Sequence, residues 1–458
     1  MMLLPFYRSL LEQSWKDVFK QKRTLRRGIE HALTWPSAMG RRTISQIICV
    51  EGRSQQDWSA DYKLYSRSRW DDQKLFNRIS EEYLDRYPKG PVVLAIDDTR
   101  VVKSGKKIPG ARWQRDPLSP PFQVNMIWGL RFLQGSLLFP HHCEGDFSPR
   151  AYPIAFKHMP VVKKPGRRAS DQKRQEYRKL RKVNNLSTQT LNWLEQYREQ
   201  LDTMKARNRI LRVVADASFC NQAFYRCRLD RIELLTRCRK DARLCFAAPE
   251  GSGRRYAIDI FTPADVLESP RSRFQWCRIW MGQRRRRIRY KIVEPVLWRR
   301  GAGTRPLRLI VIAPIPYKLS PNASRNYRQP GYLLSTDISS PIRELIQSYF
   351  DRWQIEINHR DEKTILSVGH AQVWSPSSIS RQPALTVASY SMLLLAGLYC
   401  FGPGHSLHHS TIPKWRSHKS RASLLDLLTI LRAEIIETSV NNPVYAKIAN
   451  NLPLSAKT

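Results

Sequence analysis

Carboxylates are scarce in this chain of 458 residues: Asp and Glu total 39 against 78 Lys and Arg, a formal charge of +39. A surplus that size repels itself in a compact fold unless a polyanion shares it. Nucleic acid fits that role, because each neutralised phosphate releases a condensed counterion and adds affinity. Paired metal-ligand cysteines are missing as well. None of Cys49, Cys143, Cys220, Cys227, Cys238, Cys245, Cys277 and Cys400 forms a CxxC pair, so a zinc ribbon or thioredoxin-type site has no support. The repeated spacing of Cys220/Cys227 and Cys238/Cys245 is not a usual ligand spacing, and reduced thiols in a cytoplasmic protein are the expectation. The apolar stretch Met1–Tyr7 is too short for a secretory signal and has no basic stretch ahead of it. No apolar run reaches about 20 residues. The longest, Val387–Phe401, contains Ser389 and Ser391 and reads as a buried helix, so no membrane partner is expected. What is present, 41% hydrophobic and 10% aromatic residues, suffices for a core and excludes wholesale disorder.

Residues 1–90 read as helical and basic, with Lys16, Lys20, Lys22, Arg23, Arg26 and Arg27 set among apolar positions. A small helical DNA-binding module is the expectation there. Pro91–Ile96 (PVVLAI) is a continuous apolar run of the kind buried on both faces of a sheet, and it ends in Asp97-Asp98-Thr99. Gln123–Leu133 and Ser136–His141 read as two further strands with Gln134-Gly135 as the turn between them. A basic stretch, Lys163–Lys182, leads into a helix predicted over 170–205; it is either a solvated face or a phosphate contact. Leu211–Ala215 (LRVVA) is a second buried strand that ends in an acid, Asp216.

The 232–336 segment is β-rich, with strands predicted at Glu233–Arg237, Ile288–Val293, Leu307–Ile312 and Tyr332–Ser335, and it holds the most basic stretch, Arg284–Arg287 with Arg289 and Lys291. A long helix is predicted from Ile342 to Ile365, and packing helices over 385–401 and 423–436. His141-His142-Cys143 reads as structural, Trp298 as core, and Arg237-x-Arg239-x-Asp241 as a contact either to DNA or to an internal acid.

On the predicted 342–365 helix, Tyr349, Arg352, Glu356 and Lys363 project at about 0°, −60°, −20° and −40°, a single stripe. One face thus offers an aromatic hydroxyl, two cations and a carboxylate. A lone acid among cations is ordinarily a surface ion pair. Here two more acids, Asp97 and Asp216, end apolar strands. Three carboxylates converging from two strands and a helix would hold two divalent cations through oxygen, the preference of Mg²⁺. Such a pair supports in-line phosphoryl displacement.

With these residues in view the chain resembles the RNase H-like DDE transposases, specifically bacterial insertion-sequence enzymes with a Tyr-x2-Arg-x3-Glu-x6-Lys signature. The matching segments are Tyr349-x2-Arg352-x3-Glu356-x6-Lys363, AIDDT around Asp97 and VVADASF around Asp216, with a β-rich insertion before Glu356. The resemblance spans roughly residues 91–400. It implies an α/β fold: an RNase H-like mixed sheet with flanking helices, a β-rich insertion between the second Asp and the Glu, and helical N- and C-terminal regions. The implied organisation is a helical DNA-binding module (1–90), a catalytic domain in two parts (91–231 and 337–384), the insertion (232–336) and a helical C-terminal region (385–458).

The resemblance further implies that Asp97, Asp216 and Glu356 bind two Mg²⁺ ions, with Mn²⁺ able to substitute, and that Tyr349, Arg352 and Lys363 contact element-end DNA. Successive strand residues face opposite sides, so only one of Asp97 and Asp98 points into such a site. Asp97 directly follows Ile96, as the family's strand-end acid does; Asp98 is the alternative. Gly331-Tyr332-Leu333-Leu334-Ser335-Thr336 resembles the segment on which some relatives stack a flipped base, with Tyr332 where tryptophan is common. An ordinary strand tyrosine is the other reading.

The implied function is cut-and-paste DNA transposition: Mg²⁺-dependent cleavage and strand transfer, acting on double-stranded terminal inverted repeats and target DNA. The enzyme would work as a homodimer in a synaptic complex at the bacterial nucleoid in the cytoplasm. The alternatives are a domesticated or inactive DNA-binding descendant, and an RNA-binding or RNA-cleaving protein, which would prefer A-form duplexes.

Overall fold

The computed structural model describes residues 2–116, 119–120, 122–282, 284–320, 322–404 and 421–452. Parts of the 385–458 region therefore lie outside the described residues. Five helices, α1 (Leu3–Trp15), α2 (Lys22–Ser37), α3 (Ile44–Val50), α4 (Ser59–Ser66) and α5 (Asn77–Arg86), precede strand β1 (Val92–Val102). Strands β2 (Arg112–Arg115), β3 (Met126–Phe139) and β4 (Arg150–His158) lead to α6 (Asp171–Val183) and α7 (Leu186–Thr203). Next come β5 (Leu211–Ala215), α8 (Gln222–Arg226), β6 (Ile232–Arg237), β7 (Leu244–Ala247), β8 (Tyr256–Phe261) and α9 (Pro263–Glu268). The strands end with β9 (Gln275–Trp280), β10 (Arg285–Val296), β11 (Leu307–Ile312), β12 (Pro316–Tyr317), β13 (Asn326–Tyr327) and β14 (Gly331–Ser335). Helices α10 (Ile342–Asp351), α11 (Trp353–Arg360), α12 (Pro376–Phe401), α13 (Leu424–Ser439) and α14 (Pro443–Asn450) follow.

The chain forms two compact units. One comprises Met1–Arg86, Asp98–Asn185 and Gln354–Thr458; the other comprises Tyr87–Asp97 and Leu186–Trp353.

In the second unit the strands run in the order β1-β5-β6-β14-β11-β10-β9. β1, β5 and β6 are mutually parallel, and the remaining pairs are antiparallel. Every residue of β5 is buried, the reason its sequence does not alternate; its one charged residue, Arg212, is paired with Asp337. Helix α10 covers one face, where Leu345 and Ile346 pack with Val214, Leu235, Ile288, Ile310 and Leu333. Each such fully buried side chain contributes about 1.5–3 kcal/mol. The four strands predicted within 232–336 are present as β6, β10, β11 and β14, and they extend the sheet of β1 and β5. Only β7 and β8 form a ribbon of their own in that stretch, apart from the short β12–β13 pair.

In the first unit β3 pairs with β2 through its first residues and with β4 through Phe132–Phe139. Helix α12 packs on β4 and against α1, α2 and α4. It is long and apolar enough to cross a membrane by composition, yet most of it is buried inside the protein. Its serines find partners there: the Ser389 hydroxyl donates to Ala32 O (2.6 Å) and the Ser391 hydroxyl to Pro153 O (2.7 Å).

Four sequence expectations change. The strand predicted over Pro91–Ile96 does not stop at Asp97; β1 runs on to Val102. Gln134-Gly135 is not a turn; β3 runs straight through it, with a register shift between Gly135 and Ser136. A glycine inside a strand marks a bulge as readily as a turn. The helix predicted over 170–205 is two, α6 and α7, separated at Asn184-Asn185, and α6 has no buried residue at all. The helix predicted over 342–365 is divided at Arg352 and ends in a π-helical turn, Asp361–Ile365. The result is a mixed α/β architecture compatible with the RNase H-like class.

Candidate active site

Parallel pairing sets the first piece of geometry. Ile96 is the register partner of Ala215, and Ala215 of Thr236. The residues that follow them are Asp97, Asp216 and Arg237. Two acids and a cation therefore stand in a row across three parallel strands, where the pairing of β1 with β5 ends although β1 itself runs on to Val102, spaced by the inter-strand distance of about 4.8 Å. Carboxyl ends of parallel strands are where open α/β sheets build their sites.

Side-chain alternation sets the second. Val93 and Val214 both pack in the core under α10, so Ala95 and Asp97, and likewise Asp216, continue that face. Asp98 takes the opposite one. Its Oδ2 lies 2.9 Å from Arg100 Nη1, and its charge reaches Arg131. Asp98 thus has cations for neighbours on its own side of the strand.

Asp216 is held by its own turn: Oδ1 accepts from the Ser218 backbone N–H (2.9 Å) and hydroxyl (2.6 Å). These bonds fix the carboxylate at the end of β5. Tyr349, on the last turn of α10, belongs to the same unit. Burial pushes its hydroxyl above the usual range; the nearby Arg352 and Arg237 guanidiniums pull it down and Asp216 pushes it up. Those opposing influences locate Tyr349, Arg352, Arg237 and Asp216 in one electrostatic neighbourhood. The Arg352 guanidinium lies 5.8 Å from the Tyr349 ring centroid. Arg352 is buried, and Arg237 is exposed.

Glu356 and Lys363 belong to the first unit, Glu356 half-buried on α11 and Lys363 exposed. The stripe geometry does not carry through to Lys363. From Asp361 the backbone bonds are i→i+5, as in Leu366 N–H to Asp361 O (2.9 Å), so a step of about 100° per residue no longer applies. The π-helical turn is held by buried polar side chains. Gln134 donates to Glu362 Oε1 (2.9 Å), the Tyr390 hydroxyl donates to Asn358 Oδ1 and Asp361 Oδ2 (both 3.2 Å), and Asn358 donates to the Ser136 hydroxyl (3.2 Å). Burial raises the Glu362 carboxyl above its ordinary value. The register shift in β3 thus delivers Gln134 and Ser136 to the helix segment that carries Glu356.

Tyr332 is buried in β14, 7% exposed, opposite Val311. Arg239 pairs with Asp241 (2.6 Å) on the surface. His141 pairs with Glu144 (3.0 Å), and Trp298 stacks edge-on against Tyr225. The sequence names Arg237 only as part of Arg237-x-Arg239-x-Asp241, a contact to DNA or to an acid, and not as a neighbour of Asp216. Its signal was there: Glu233–Arg237 is a strand ending in a charge, like PVVLAI-Asp and LRVVA-Asp.

The donor set suits a hard divalent cation. Asp97 and Asp216 offer only oxygen, and like charges this close on neighbouring strands favour a shared cation. Among the described residues the group of three that brings ligand atoms within 4.8 Å of one another is His31, Glu51 and Asp61. There Arg53 pairs with both Glu51 and Asp61, and Arg27 with Asp61. His31 bonds Asp61 Oδ1 and the Tyr65 hydroxyl (2.8 Å each). These acids are already balanced by arginines, and the cluster ties α2 to α4.

No curated relative matches the chain. A family model described as DDE superfamily endonuclease matches residues 21–304, a span that includes Asp97, Asp98 and Asp216 and ends before Tyr332. With more than half of its length so matched, the chain belongs to the DDE superfamily endonucleases.

Proposed function

We propose that the protein is a DNA transposase that cleaves the ends of an insertion sequence and joins them to target DNA. The observation that carries this reading is the pair Asp97 and Asp216, side by side where the parallel pairing of β1 and β5 ends, on the face of Tyr349 and Arg352. Asp97, Asp216 and Glu356 are the proposed ligands of two Mg²⁺ ions, with Mn²⁺ as a substitute. Bound there, the ions would activate an attacking hydroxyl and stabilise the leaving oxygen in an in-line phosphodiester displacement.

The chain's own residues bind and orient the DNA. Arg352 offers a planar fork to a phosphate beside the scissile bond. Tyr349, its hydroxyl kept protonated by burial, donates a hydrogen bond, and Lys363 supplies a more distant cation. Arg237, at the end of the same strand row, balances the phosphate that enters beside Asp216. Two displacements follow in the proposed sequence. Water first attacks the phosphodiester at the element end and frees a 3′ hydroxyl, which then attacks target DNA by transesterification. Both element ends must be present together, so a homodimer is the proposed working form.

The test uses a supercoiled plasmid carrying the inverted repeats that bracket this reading frame. Wild-type protein is expected to cut at the repeat ends with Mg²⁺ or Mn²⁺ and not with EDTA. Asp216→Ala and Glu356→Ala are expected to bind without cutting. Retained cleavage in either variant overturns the assignment. Binding by wild type with no cleavage under any metal condition identifies an inactive DNA-binding descendant instead.

A further inference from the structure

Strands β9 and β10 form the end of the second unit's sheet, and their two faces differ sharply. Ile279, Ile288 and Tyr290 point into the core under α10, with Cys277 packed against it. The other face carries Arg278, Arg287, Arg289 and Trp276, all exposed. Register makes this a ladder: Arg287 stands directly across from Arg278, and Arg289 across from Trp276. Like charges directly opposite on antiparallel strands destabilise the pair. Among the described residues no carboxylate forms an ion pair with any of the three arginines.

Aromatic rings hold two of the guanidiniums instead. Arg287 lies over Trp276 at 4.2 Å from its centroid, and Arg289 lies 5.7 Å from Trp276 and 5.1 Å from Phe274. Stacking of this kind fixes the planar group while leaving its edge donors available. Neighbouring cations add to the field: Arg286 is held below its ordinary value by burial and by Arg284 and Arg328. Lys291, next in the row, is spent on the fold. Its ammonium donates to Val266 O, Leu267 O and Ser269 O.

We infer that the Arg278–Arg287–Arg289 face of the β9–β10 hairpin is a second DNA-binding surface, which grips the phosphate backbone of a duplex without reading its sequence. The inference rests on the DNA-acting reading above and adds a surface outside the proposed active site. Arg287 and Arg289 are two residues apart on one strand, about 7 Å, and duplex charge recurs every 3.4 Å of axis on each strand. Two-stranded ribbons that read bases enter the major groove. This hairpin has its other face buried, so it lies across a backbone rather than in a groove. Phosphate contacts of this sort position DNA and carry no sequence information.

Full-length protein in EDTA, titrated with random-sequence duplex across a salt series, tests the surface. Each phosphate contact contributes about 0.9 to the slope of log K against log salt. The triple variant Arg278→Gln/Arg287→Gln/Arg289→Gln is expected to lose about 2.7 from that slope, equally on unrelated sequences. The corresponding lysine triple is expected to keep the slope, which separates charge from packing. A folded glutamine triple with unchanged slope overturns the inference, as does a loss confined to one sequence or to RNA. If the triple fails to fold, the single glutamine variants are each expected to lower the slope by about 0.9, and no change in any of them overturns it equally. The slope is read in EDTA, where no metal-dependent cleavage occurs, so a failure of the catalytic assignment and a failure of this surface read out separately.

Discussion

Ile96 and Ala215 are direct partners across the parallel strands β1 and β5, so Asp97 and Asp216, the next residues, stand side by side. Asp98, one residue on, faces the other way toward Arg100. That difference separates two adjacent carboxylates by role. Asp97→Asn is expected to reduce Mg²⁺-dependent cleavage by a factor on the order of 10³ or more, as loss of one member of a cooperating site does. Asp98→Asn is expected to cut at near wild-type rate. Single-turnover cleavage of an end-containing duplex checks both, and loss confined to Asp98→Asn would move the first ligand by one residue.

Tyr349 and Arg352 share an electrostatic neighbourhood with Asp216 and Arg237. Tyr349→Phe removes a hydroxyl and no packing volume. It is expected to weaken binding of end DNA in EDTA by about 1.5–3 kcal/mol, the worth of a hydrogen bond to a charged group, while affinity for random duplex changes little. Arg352→Lys keeps the charge and loses the fork, and the same preference for end DNA is expected to fall. Equal affinity for end and random duplex in wild-type protein would remove the basis for both expectations.

Much of this site was legible because its elements obey short-range rules. PVVLAI is apolar and LRVVA apolar but for the buried Arg212, since both faces of the sheet are covered there; Asp216 follows the end of β5, whereas β1 runs on past Asp97 to Val102. The strands β6, β11 and β14 were visible for the same reason, while in β10 exposed Arg287 and Arg289 alternate with buried Ile288 and Tyr290. What escaped depends on distant partners. Gln134-Gly135 has the composition of a turn, and only pairing with β4 and bonding to Glu362 make it strand. Periodicity alone extends the Glu356 helix smoothly to Ile365; the π-helical turn exists because Gln134 and Tyr390 bond to Glu362 and Asp361. Arg237 becomes a site residue only once register aligns it with Asp97 and Asp216.

Asp337 gives a pH signature. Burial pushes its carboxyl up, but bonds from the Ser340 hydroxyl, the Ser340 and Ser339 backbone N–H groups and the charge of Arg212 bring it down to about 2. Arg212 is itself buried, with Nη2 3.0 Å from Asp337 Oδ2. A carboxyl whose folded pKa is depressed stabilises the fold above its unfolded pKa, near 3.9, and loses that contribution as pH falls toward about 2. At neutral pH the contribution is on the order of 2 kcal/mol. Asp337→Asn is therefore expected to lower unfolding free energy at pH 7 by at least that much, since it also leaves Arg212 buried without its anion. The gap to wild type is expected to narrow between pH 4 and pH 2, measured by urea unfolding at each pH. A gap independent of pH would mean that the pair does not act through charge.

Gly129 on β3 ties strand packing to activity. A Cβ there would sit 2.5 Å from the Val101 carbonyl oxygen, a backbone atom of β1 that cannot rotate away. Gly129→Ala must push β3 from β1, and substitutions that force backbone shifts cost about 1–3 kcal/mol. Val101 lies four residues beyond Asp97 on the same strand, so displacement of β1 moves the proposed ligand as well as the core. The expected outcome is a lower Tm together with a loss of cleavage larger than the unfolded fraction explains, while binding to random duplex through β9 and β10 persists. A variant with lowered Tm and full specific activity at low temperature would show that β1 absorbs the shift before it reaches Asp97.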